Sequence, residues 1–102
     1  MRQAARTDEN QKEIVKELRQ LGYSVLDLSG VGGGCPDICV GASARNFLFE
    51  IKNPAKPQKD RKLTPDQVKF HRSWQGQIRI IETTEDAIKV ITKAYARSSP
   101  TG

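Results

Sequence analysis

Between Pro36 and Asn53 the chain reads "PDICVGASARNFLFEIKN". Asp37, Glu50 and Lys52 stand there among apolar residues that otherwise spell strands. A charge in a half-buried strand is costly unless a partner or an ion offsets its desolvation. "DICV" and "NFLFEIKN" read as two short strands with "GASAR" as the tight turn between them, which predicts an antiparallel hairpin. Residues i and i+2 of a strand share a face, so Glu50 and Lys52 point one way with Leu48, and Phe47, Phe49 and Ile51 point the other. Asp37 and Glu50 are 50 − 37 = 13 residues apart. A twisted hairpin with a connection of about 4–6 residues brings them together.

Two readings of those charges follow. Two carboxylates and a backbone carbonyl suit Mg²⁺, because hard cations prefer oxygen ligands. Such an ion polarises a phosphoryl oxygen and acidifies a bound water, and an adjacent lysine positions that water or offsets charge on the phosphate. The plainer reading is a surface ion pair between Glu50 and Lys52, with Asp37 capping a turn. Spacing alone leaves both open.

The remaining pattern surrounds the hairpin with helices. Asp8 is placed to cap a first helix, with Gln11 three positions on. Ile14, Val15, Leu18 and Leu21 form its apolar stripe, and Gly22 ends it. Gln11 lies one turn before Ile14 and Val15, so a polar group continues the buried stripe. "YSVLDL" (Tyr23 to Leu28) reads as a strand, and Pro54 to Lys62 as a polar loop. Thr64 as N-cap, Pro65 at N1 and Gln67 at N3 open a second helix that runs to about Gln75 and stops at Gly76. "QIRII" is a further strand, entered by a crossover that should make it parallel to "NFLFEIK". Thr83, with Asp86 at N3, caps a last helix whose buried stripe is Ala87, Ile88, Ile91, Ala94 and Tyr95.

The order is therefore α-β-β-β-α-β-α, an α/β fold with a mixed central sheet of about four strands flanked by helices. A chain of 102 residues makes one domain, residues 1–96, with "RSSPTG" (97–102) as a disordered tail.

Composition narrows the partners. The chain has 17 Lys and Arg against 12 Asp and Glu, a net charge of +5 that suits a polyanion such as nucleic acid. No apolar run approaches the roughly 20 residues that span a bilayer, and the first residues lack a signal peptide's apolar stretch. A cytoplasmic protein with no membrane partner is expected. Cys35 and Cys39 are then reduced, and with His71 as the one histidine they do not make a zinc site, so they read as small buried residues. "GVGGGC" fits neither the dinucleotide nor the P-loop pattern, so no nucleotide cofactor is expected. Gly33 and Gly34 belong either to a flexible connector or to a loop that admits a phosphate backbone. Lys56, Lys59, Arg61 and Lys62 follow Lys52 directly and are candidates for phosphate contacts beside the acids. His71 and Trp74 share a face of the second helix, with packing as the default for both.

Taken together, "GVGGGCPDICV", "NFLFEIK" and "KLTPDQVKFHRSWQGQIRII" resemble the PD-(D/E)XK nuclease superfamily, and within it the VRR-NUC branch and Holliday-junction resolvases. The likeness covers about Asp8 to Ala96 in the family's order of elements. It implies a restriction-endonuclease-like core and a metal-dependent endonuclease acting on DNA, branched or junction DNA included, or nicking it. It implies Asp37 and Glu50 as metal ligands, the Ile51 carbonyl as a third, and Lys52 as the catalytic lysine. Mg²⁺ is the implied cofactor, with Mn²⁺ as substitute. Many relatives carry a glutamate on the first helix where this chain has Gln11, a neutral and weaker oxygen donor. Gln67 matches a recurrent glutamine of the VRR-NUC group, and its capping-box role is a sufficient alternative. Junction cutting implies a homodimer. The rival function is a non-catalytic nucleic-acid-binding module on the same fold.

Overall fold

The computed structural model describes residues 9–98, the side chains of 95–98 excepted. Its elements are α1 (Glu9–Gln20), β1 (Ser24–Asp27), β2 (Ile38–Ala42), β3 (Arg45–Ile51), α2 (Pro65–Ser73), β4 (Ile78–Ile81) and α3 (Thr84–Ser98). The four strands form one sheet in the order β1-β2-β3-β4. β1 to β3 are antiparallel, and β4 lies parallel to β3 as the crossover through α2 requires. No helix among the described residues is long and apolar enough to cross a membrane.

One face of the sheet holds the core. Ile38 and Val40 of β2, Phe47, Phe49 and Ile51 of β3, and Ile81 of β4 are buried against Ile14 and Leu18 of α1 and Ala87 and Ile91 of α3. The Phe47 and Phe49 rings lie parallel with centroids 6.2 Å apart. Burying side chains of this size stabilises by roughly 1.5–3 kcal/mol each, so this face sets the register. Gln11, 4% exposed, continues the α1 stripe as its spacing predicts.

The helix ends follow their local chemistry. Gly22, at φ 97°, closes α1: its N–H donates to the Arg19 carbonyl and the Tyr23 N–H to the Leu18 carbonyl, both satisfying otherwise orphaned acceptors. The α1 stripe stops at Leu18, because Leu21 falls beyond the last helical residue and is exposed rather than buried. Asp8, its expected cap, lies outside the described residues. Thr64 and Gln67 form a reciprocal capping box on α2. That helix ends at Ser73, short of Gln75, because Trp74 turns extended. Asp86 accepts from the Thr83 N–H, and the Thr83 hydroxyl accepts from the Asp86 N–H, at the start of α3. α3 takes in Arg97 and Ser98; the rest of the expected tail, and the Tyr95 side chain, lie outside the described residues. The Pro54 to Lys62 loop contains a 3-10 turn at Gln58–Arg61, and β1 is shorter than Tyr23 to Leu28.

The β2–β3 connection is tighter than expected. β2 runs to Ala42 and β3 begins at Arg45, leaving only Ser43 and Ala44 between them, at φ 51° and 62°. Two left-handed residues give a turn whose twist matches the strands, normally built from Asn-Gly. Ser-Ala holds it against its own preference, so Ser43→Asn with Ala44→Gly is expected to stabilise the fold by about 1–2 kcal/mol. A urea unfolding curve measures this, and an unchanged or lower midpoint would speak against the left-handed turn.

Candidate active site

The hairpin register pairs Ile38 with Phe49, which sets Asp37 opposite Glu50. Pro36, fully buried, anchors the approach to β2. The Asp37 N–H donates to the Phe49 carbonyl at 3.1 Å, and its carbonyl accepts from the Leu28 N–H at 2.8 Å. Its carboxylate then accepts from the Ile51 N–H at 2.8 Å, so backbone fixes the side chain. Lys52 is pinned equally well: its N–H donates to the Ile81 carbonyl at 2.9 Å, and its carbonyl accepts from Asn10 Nδ2 at 3.0 Å.

Glu50 is not a surface residue. It is 2% exposed, and its ion pair with Lys52, at 3.8 Å, is largely buried. The plainer reading of a solvent-facing salt bridge therefore fails. Burial, the Asp37 charge and a hydrogen bond shared with Asp37 push the Glu50 carboxyl from its ordinary 4.5 up to about 8, while Lys52 pulls it back.

Gln67 links these groups. Its Nε2 donates to Glu50 Oε2 at 3.0 Å, and its Oε1 accepts from Lys52 Nζ at 3.1 Å and from the Thr64 N–H at 2.9 Å. The amide that completes the capping box thus also bonds the acid and the lysine. His71, one turn along α2, has its imidazole held below the usual range by burial and by the Lys52 charge.

Gln11, Asp37, Glu50, Ile51, Lys52, Asn53, Lys56, Asp60 and Gln67 line one cavity of about 230 Å³. Glu50 Oε1 and Gln11 Nε2 are buried in it without a hydrogen-bond partner. Turning the Gln11 amide about its last bond exchanges nitrogen for oxygen and presents an acceptor. The donors are then two carboxylates, a neutral amide and the backbone at Ile51, a set that fits a hard divalent cation. Among the described residues no cluster of three acidic, histidine or cysteine side chains forms a metal site.

The neighbouring predictions divide. Lys56 lines the cavity, and Lys59 and Lys62 are exposed beside it. Arg61 is turned away, its guanidinium bonded to Glu82 at 3.1 Å. Gly34, at φ 82°, packs against α2: a Cβ there would meet the Asp66 carbonyl oxygen at 2.3 Å. It is a spacer between loop and helix, whereas a Cβ at Gly33 would meet nothing within 4 Å. The cysteines are free but half-buried rather than buried, and burial followed by the Glu50 and Asp37 charges pushes the Cys35 thiol up. Trp74 is 46% exposed and stacks on Phe70 at 5.3 Å instead of entering the core. Asp60 and Asn10 are positions that sequence reasoning did not single out. Asp60 was legible only as the lone acid of a basic loop, and Asn10 as the neighbour of Gln11.

No protein-family model, curated protein or solved structure matches the chain.

The raised Glu50 carboxyl fixes the sign of a pH effect. Between about 4.5 and 8 the folded state holds a proton that the unfolded chain has lost, so stability falls as pH rises through that window. Thermal unfolding of metal-free protein from pH 5 to 9 should show this decline, and Glu50→Gln should flatten it and raise the melting temperature at the alkaline end.

Proposed function

We propose that this chain is a metal-dependent nuclease of the PD-(D/E)XK type, with a restriction-endonuclease-like core, that hydrolyses DNA phosphodiester bonds. The observation that carries the reading is the polar cavity, in which a buried, unsatisfied glutamate oxygen faces the same space as Asp37, Lys52, Gln67 and Gln11. Asp37, Glu50, the Ile51 carbonyl and Gln11 are the residues that would hold Mg²⁺ or Mn²⁺. When bound, the cation supplies Lewis-acid polarisation of a phosphoryl oxygen and a more acidic water.

The protein's own groups do the rest. Lys52, with Nζ held by Gln67 Oε1 and the Lys62 carbonyl at 3.4 Å, orients the attacking water and offsets charge on the phosphoryl oxygens. Gln67 keeps Lys52 and Glu50 in register, and is a positioning residue. Lys56, Lys59 and Lys62 meet backbone phosphates and make affinity salt-dependent; Gly33 leaves its loop open to a close backbone. Arg61 has no part in this while it is paired with Glu82.

Among the described residues no element stands apart from the sheet and its helices to read base edges, which favours selection of the substrate by shape. Branched or junction DNA, or nicking of a duplex, suits it best, and paired cuts at a junction call for two copies. The replacement of an acid by Gln11 favours, as a second reading, a module that binds such DNA without cutting it.

Incubation with four-way junction, flap and linear duplex DNA, with and without Mg²⁺ or Mn²⁺, separates the two. Metal-dependent cleavage is expected, falling by roughly 100–1,000-fold in Asp37→Asn and in Lys52→Ala. Binding without cleavage in every lane would favour the module, and equal cutting by Asp37→Asn would remove the nuclease reading.

A further inference from the structure

Helix α1 divides its charge between two flanks. Lys12, Lys16 and Arg19 are spaced by four and three residues, so they share one side of the helix. They line a groove of about 460 Å³ beside Asp27 of β1. All three are exposed, and among the described residues neither lysine is paired with a carboxylate. Arg19 gives one N–H to the Val25 carbonyl at 2.9 Å, which anchors the guanidinium and leaves its other donors. The acid of this groove, Asp27, is already held by the Ser29 N–H at 2.9 Å and the Ser29 hydroxyl at 2.6 Å. The other flank is the reverse. A cavity of about 610 Å³ there is lined by Glu13, Glu17, Glu82 and Glu85, with no lysine or arginine.

Gln11 joins the basic groove to the cavity that holds the acids, because it lines both. Lys56 lines that cavity too. Basic surface therefore reaches Asp37 and Glu50 from two elements, the loop after Lys52 and the flank of α1.

We propose that the α1 groove is a second phosphate-backbone site: the DNA strand held at Asp37 and Glu50 continues past Gln11 and along Lys12, Lys16 and Arg19. The inference rests on the proposed function for its ligand and adds the path by which that ligand leaves the site. Charge selects the path. A phosphate backbone passing α1 meets three cations on one flank and four carboxylates on the other, so only the first attracts it. Length agrees. Lys12 and Arg19 are 19 − 12 = 7 residues apart. That is about 10 Å of helix at 1.5 Å per residue, the span of about three nucleotide steps at 3.4 Å. Such contacts hold and orient the backbone without reading its sequence. The substrate must then extend about three nucleotides beyond the cut on the α1 side.

Fluorescence anisotropy of the full chain with a labelled four-way junction, in EDTA so that nothing is cut, tests this. Lys12→Ala with Lys16→Ala should lower affinity by roughly 10–100-fold at about 0.1 M salt. The slope of log K against log salt should shrink by about 1.4–1.8, two contacts at about 0.7–0.9 each. Lys12→Arg with Lys16→Arg should retain binding. Lys89→Ala with Lys93→Ala is the control: it removes the same charge from a basic groove that shares no residue with the acid-bearing cavity. That pair should lower affinity by no more than about threefold, through net charge alone. All four lysines are exposed on helices, where alanine is favoured, so thermal unfolding should match the wild type. Equal losses in the two alanine pairs, or no loss in the α1 pair, would overturn the α1 site whether or not the protein cuts DNA. Cleavage is scored separately with Mg²⁺. An uncut junction counts against the nuclease reading alone, whereas a wild type that fails to bind the junction overturns the groove as well.

Discussion

Two carboxylates held against each other one position beyond the Ile38–Phe49 rung of the β2–β3 hairpin are the constraint on which the rest of the structure turns. Asp37 and Glu50 repel, and burial raises the cost of charging them both. The fold meets that cost with fixed donors. The Ile51 N–H holds Asp37, Gln67 holds Glu50, and Lys52 supplies the nearest positive charge. Each donor is in turn fixed by something that does other structural work: a strand ladder, a capping box, a lysine backbone caught between β4 and Asn10. Glu50 Oε1 remains unsatisfied, and a buried polar atom without a partner is strain that a ligand can relieve.

The sheet divides its two faces between tasks. Phe47, Phe49 and Ile51 point into the core and fix the register. Because strand side chains alternate, that register necessarily delivers Leu48, Glu50 and Lys52 to the opposite face. The aromatic core on one face therefore positions Glu50 and Lys52 on the other. Gln11 belongs to both sides of this division: α1 packs by Ile14 and Leu18, and the same helical stripe carries the Gln11 amide to the cavity.

Features governed by local pattern were legible in the sequence. The hairpin, the Thr64–Gln67 capping box, the Gly22 stop, the parallel crossover and the burial of Gln11 all follow from spacing within a few residues of one another, or from strand alternation. Features governed by distant contacts were not. Gly34 read as a loop glycine because nothing in "GVGGGC" says that the α2 backbone lies against it. Arg61 read as a phosphate contact because its partner, Glu82, is 21 residues away. Trp74 read as packing on a helix face shared with His71; it is the residue that ends α2, 46% exposed, and packs on Phe70. Gln67 completes the capping box as read and also bonds Glu50 and Lys52, since one amide has enough donors and acceptors for both.

The central claim is that Asp37 and Glu50 together hold a divalent cation, and calorimetric titration of Mn²⁺ into the metal-free protein at pH 7 tests it most directly. With Glu50 largely protonated at that pH, binding should release about one proton per ion, read from the difference between two buffers of unlike ionisation enthalpy. Asp37→Asn and Glu50→Gln should each abolish the heat of binding. Absence of binding in the wild type, or binding of equal strength and proton release in either variant, would contradict it.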